Sequence, residues 1–156
     1  MSSGSIIVVK IGTSTLTDST GKIDRTELDR LVSEMSLLAK QNHQIVVVSS
    51  GAIGSGAERL GRVGAIKTLP EKQAAAAVGQ VLLMEAYQQS FGRFGITVAQ
   101  ILLTRDAISN RERHQNARST VHKLLAMNVV PIVNENDTVA VEEIRVGDND
   151  NLSALV

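Results

Sequence analysis

Short apolar runs and helical stripes alternate along this chain. Ile6–Ile11, Ile45–Val48, Ile96–Leu103 and Val129–Val133 are nearly continuous in apolar, mostly β-branched residues, the pattern of strands in a parallel sheet covered on both faces. Between the first two, Leu28, Leu31, Val32, Met35, Leu38 and Ala39 recur at helical spacing. Asp24 with Glu27 three residues on resembles a capping box, so a helix is predicted from Asp24 to Lys40. A second helix is predicted from Pro70 to Phe91, with Pro70 near its start, where a missing N–H costs little. Its Ala74–Ala77 run and Gly79 point to close backbone packing. A third, Arg111 to Met127, carries Ala117, Val121, Leu124 and Leu125 on one face and leads straight into the last strand.

Strand and helix thus alternate four times with no repeat, low-complexity stretch or hinge, which predicts an α/β unit of one domain over 1–156. Asn149 to Val156 reads as a helix start that stops after about two turns, so the sequence reads as cut rather than finished.

Composition narrows the function. Sixteen basic and sixteen acidic residues cancel and aromatics are 2%. No global field draws nucleic acid or an anionic membrane, and a small-molecule site is the better expectation. The absence of cysteine excludes disulfides, thiolate metal sites and a cysteine nucleophile. With a mean hydropathy of +0.06, no segment reaches the roughly 20 apolar residues of a membrane span. Residues 1–5 show no basic stretch ahead of an apolar run. A soluble, cytoplasmic protein is expected. The Asn-x-Ser/Thr triplets at Asn136 and Asn151 are put down to chance, and His43, His114 and His122 share no metal-ligand spacing.

Four stretches carry candidate chemistry. In VVKIGTS, Lys10 closes an apolar strand and Gly12 follows, at the carboxyl end where open α/β sheets collect ligands. A lone lysine there more often simply reaches water, so Lys10 draws its weight from the other stretches. VSSGAIGSG places Ser50, Gly51 and Ala52 in a glycine-rich turn after the second strand, where backbone N–H groups can approach an anion. It fits neither G-x-G-x-x-G, since Arg59 stands where glycine is needed, nor a P-loop, since Leu16 and Ile23 fail around Gly21-Lys22. PIVNENDTV ends a strand in Asn134, Glu135, Asn136 and Asp137, a cluster suited to an ammonium group or Mg²⁺. VGDNDNL sets Asp148, Asn149 and Asp150 at a helix start. An EF-hand is excluded there, and a helix cap would use only one of these side chains.

Taken in order, VVKIGTS, SSGAIGSG, PIVNENDTV and GDNDNLSA resemble the amino acid kinase family and, within it, the glutamate 5-kinases, over the whole chain. That resemblance implies a three-layer α/β sandwich with a mainly parallel sheet (the carbamate kinase-like fold). It also implies ATP-dependent phosphorylation of the L-glutamate side-chain carboxylate, the first step of proline biosynthesis, with ATP and Mg²⁺ as cofactors. It assigns Lys10, with Gly12, to the transferring phosphoryl group, and Ser50, Gly51, Ala52, Asn134, Asp137 and Asn149 to the substrate. Asp148 or Asp150 would orient the catalytic lysines, the choice between them staying open.

The same resemblance implies proline as feedback inhibitor and a homo-oligomer. It further implies that the nucleotide-gripping half, a second lysine and a small RNA-binding-like domain are missing from these 156 residues, so that the chain alone turns over weakly or not at all. Competing readings are a related kinase of different substrate and a non-catalytic glutamate- or proline-binding or assembly module. A nucleic-acid role is the weakest.

Overall fold

A computed structural model describes residues 4–104 and 109–139. Among them nine elements follow in order: β1 (Ile6–Ile11), α1 (Thr13–Leu16), α2 (Arg25–Lys40), β2 (Gln44–Ser49), α3 (Ala52–Arg59), α4 (Leu69–Gly92), β3 (Thr97–Leu103), α5 (Arg111–Ala126) and β4 (Val129–Glu135). The strands form one parallel sheet in the order β1-β2-β4-β3.

That order dictates the layers. Steps from β1 to β2 and from β2 to β3 run one way across the sheet, whereas β3 to β4 runs back. A right-handed crossover puts the helices of opposite steps on opposite faces. On one face Ile45, Val47, Val130 and Ile132 join Leu28, Val32 and Met35 of α2 and Leu83, Ala86, Tyr87 and Phe91 of α4 in one core. On the other, Val46, Val48 and Val133 pack with Val121 and Leu125 of α5. Helix, sheet and helix make the three-layer α/β sandwich expected from the chain's periodicity and resemblance.

The expected elements recur with shifted ends. α2 is capped by Asp24, whose carboxylate accepts from the amides of Thr26 and Glu27, both at 3.0 Å. The reciprocal half of the expected box is replaced, because the Glu27 carboxylate turns to Arg30 at 2.6 and 2.9 Å. The full capping box belongs to α4, where Thr68 and Glu71 satisfy each other's backbone N–H groups and Pro70 sits inside the first turn. β4 runs two residues past Val133, because Asn134 and Glu135 keep pairing with Leu102 and Leu103. The polarity of Asn134 masked this in the sequence.

α3 crosses α4 backbone against backbone. A Cβ on Gly56 would lie 1.7 Å from the Ala75 carbonyl oxygen, and one on Gly79 would lie 1.7 Å from that of Ala52. The close packing foreseen at Gly79 is thus present, with Gly56 as its partner.

Candidate functional site

Register alone brings three of the four marked stretches to one end of the sheet. Lys10 pairs with Val48, Val48 with Val133, and Val133 with Ile101. The residues that follow therefore share one rim: Ile11 ending β1 with Gly12 after it, Ser49 ending β2 with Ser50 after it, and Asn134 and Glu135 ending β4. At about 5 Å per strand step, the tips of β1 and β4 stand about 10 Å apart, a span that suits one small ligand. These carboxyl ends flank the place where connections turn to opposite faces, which is where open α/β sheets form their ligand crevice.

Local bonds lock the rim. The Ser50 amide donates to the Ile11 carbonyl at 3.1 Å, tying the glycine-rich turn to the lysine strand. Gly51 caps α3 in a left-handed conformation at φ +100°, and a Cβ added there would lie 3.5 Å from Thr17 and 3.9 Å from Leu16 of the β1–α2 connection. A side chain would be strained at that backbone. The turn's glycines therefore divide their work: Gly51 makes the bend, Gly54 lies against Gly21, and Gly56 packs on α4. Beyond β4, the Asn136 amide donates to the Leu103 carbonyl at 2.8 Å, and Thr138 donates to the Asn136 side chain at 2.6 Å. This turn carries Asp137.

The expected site residues that fall among the described ones are placed as follows. Lys10 is exposed, on the side of β1 opposite buried Ile11. At Gly12 the backbone is extended, and an added Cβ would meet nothing within 4 Å, so open space lies beside it. Ala52 begins α3, and Asn134 is buried at 3% exposure. Asp137 is half-buried, and that burial alone pushes its carboxyl up to about 6. Asp148, Asn149 and Asp150 lie outside the described residues.

Ser49 and Tyr87 escaped the sequence reading. Their hydroxyls share a hydrogen bond of 2.9 Å in the core, one residue before Ser50, and burial raises the Tyr87 phenol well above its ordinary range. A tyrosine in a helix otherwise poor in aromatics was the available signal. Among the described residues no three His, Cys, Asp or Glu gather to hold a metal.

Comparison with known proteins follows the same lines. Residues 5–156 match the sequence profile of the amino acid kinase family. The chain belongs to the amino acid kinase family. Within it, the chain is 57% identical to glutamate 5-kinase of Moorella thermoacetica and 54% identical to that of Geobacter metallireducens, in each case over 96% of this chain and 40% of the relative. The glutamate 5-kinase of Aliivibrio fischeri is 54% identical over 96% of this chain and 41% of its own length. The chain therefore spans about two-fifths of these relatives. No helix among the described residues is long and apolar enough to cross a membrane.

Proposed function

We propose that this chain forms the amino-acid-binding part of a glutamate 5-kinase, which transfers the γ-phosphoryl group of ATP to the side-chain carboxylate of L-glutamate. The observation that carries the reading is the shared rim, where Ser50 is bonded to Ile11 and the strand register aligns Lys10 with the approach to Asn134.

The chemistry asks little more of the chain. A glutamate carboxylate is ionised near neutrality, so the nucleophile needs no general base. One carboxylate oxygen forms the bond to phosphorus as the bond to the departing ADP oxygen breaks. What limits the step is repulsion between anions, and fixed donors and cations at the equatorial oxygens relieve it. Lys10 supplies that cation, and Gly12 leaves the phosphates room to approach. The turn Ser50–Ala52 and Asn134 supply donors for glutamate's oxygens, and Asp137 supplies the acceptor for its ammonium. Asn149, with Asp148 or Asp150, would complete the set.

Mg²⁺ is not assigned to the described residues, since they offer no convergent trio of acids. Proline carries a carboxylate and a cationic amine in the same relation as glutamate and is proposed to compete for this pocket.

Calorimetry of the chain with L-glutamate tests the reading. Saturable binding that is displaced by proline and abolished by Asp137→Ala is expected, and a flat titration would sink it. In a chain of the relatives' full length carrying these residues, trapping the acyl phosphate as a hydroxamate tests the transfer. Hydroxamate formed from acetylglutamate or aspartate in place of glutamate would move the substrate assignment elsewhere in the family.

A further inference from the structure

Asn134 does not stand by itself at the tip of β4. Its Oδ1 accepts the backbone N–H of Glu135 at 2.9 Å, its Nδ2 donates to Gln80 Oε1 at 2.9 Å, and Gln80 Nε2 donates to Gln100 Oε1 at 3.1 Å. Three side-chain amides from β4, α4 and β3 thus form one relay. Gln100 pairs with Ile132, two residues before Asn134, so the outer amides sit diagonally on adjacent strands and Gln80 of α4 bridges them.

The relay has only one polarity. A backbone N–H can only donate, so the Asn134 atom facing Glu135 must be its oxygen. Its NH₂ must then face Gln80, which presents oxygen and turns its own NH₂ to Gln100. With Asn134 only 3% exposed and Gln80 half-buried, reversing either of these two amides would set N–H against N–H where water offers little relief.

We propose that Gln80 is a positioning residue. It holds the Asn134 amide in this orientation, so that Asn134 meets the bound amino acid as an N–H donor, toward a carboxylate oxygen. Gln100 supports Gln80 from behind. The inference rests on the rim being a glutamate site, and it adds a residue from a helix that carries none of the marked motifs.

The test uses this chain, with Gln80→Leu, Gln80→Glu, Asn134→Ala and the double variant Gln80→Leu/Asn134→Ala. L-Glutamate affinity is read by calorimetry, and the Asn134 side-chain amide by NMR, assigned by its disappearance in Asn134→Ala. Gln80→Leu is expected to weaken glutamate about tenfold, the scale of one lost orienting hydrogen bond. Gln80→Glu keeps the acceptor oxygen and should stay within about threefold of the parent. In the Asn134→Ala background, Gln80→Leu should cost nothing further, since it acts through Asn134. The Asn134 amide resonances should move in Gln80→Leu whether or not ligand is present.

Additive losses in the double variant, or unmoved Asn134 resonances, overturn the relay while leaving the glutamate reading intact. Absence of glutamate binding by the parent chain overturns the glutamate reading and with it the substrate role given to Asn134. Should Gln80→Leu not fold, Gln80→Met serves as the apolar variant under the same criteria.

Discussion

At the scale of single residues, Asp137 and Gly12 make the sharpest statements. The Asp137 carboxyl is raised to about 6 by burial, so the folded state holds a proton that the unfolded chain releases near the ordinary 3.8. Its contribution to stability is therefore fully present below about pH 4 and is lost as pH rises through 6. Asp137→Asn should stabilise the chain at pH 7, by on the order of 1–2 kcal/mol once solvent screening is allowed for, and leave it unchanged at pH 4. Denaturant titrations at the two pH values check this. Binding goes the other way: if an ammonium group needs the ionised form, glutamate affinity should fall about fivefold between pH 6 and pH 5, a drop that Asp137→Asn abolishes. Gly12 has neither a left-handed backbone nor a crowded Cβ position. Gly12→Ala should leave the unfolding free energy within about 0.5 kcal/mol of the parent. In a full-length kinase it should raise KM for ATP, and an unchanged KM would remove Gly12 from the phosphate site.

At the scale of elements, α4 organises the rim although none of the marked motifs lies in it. Its Gly79 leaves room for the Ala52 carbonyl to lie against its backbone, Gln80 reaches Asn134, and Tyr87 reaches Ser49. Near its end, Ser90 and Arg93 both donate to Asp29 of α2 at 2.5 Å, fixing the two helices together. Gly79→Ala would drive a methyl into backbone that cannot yield, at a cost of about 3 kcal/mol or more. The expected result is a lower denaturant midpoint at unchanged slope, together with weaker glutamate binding, because Ala52 is displaced. The α4 cap predicts a pH signature of opposite sign to that of Asp137. Glu71 is held down to about 2 by the Thr68 and Lys67 amides. Its stabilisation is present above about 4.5 and lost as pH falls toward 2, and Glu71→Gln should erase that dependence in acid unfolding curves.

At the scale of the whole molecule, the sheet has one chemically dressed end. Three loops from β1, β2 and β4 converge there, while the helices on both faces serve as support. The outer face of β1 exposes Ile6 at 44% and Val8 at 36%, beside Lys10. With about two-fifths of the relatives' length present, the chain is expected to bind glutamate yet form little acyl phosphate from ATP. A hydroxamate assay comparing it with a full-length relative checks this, and turnover by the isolated chain within about tenfold of the relative would refute it.

The order of strands and helices, the double-faced sheet and the polar residues at strand ends were legible in the sequence. Each follows from local periodicity: β2 is apolar without a break from Ile45 to Val48 because both its faces are buried, and α2 shows its buried stripe at helical spacing. The family resemblance was legible too, in motifs that keep their order and spacing. What the chain's linear pattern could not express was contact between distant positions. The insertion of β4 between β2 and β3 aligns Asn134 with the turn after β2. The Gly56–Gly79 crossing decides that two glycines serve packing. The links from Gln80 and Tyr87 to the rim join residues 38 to 54 positions apart. A hydrogen bond over such a span leaves no periodic trace, because it depends on which helix lies over which strand, and packing of the two cores decides that.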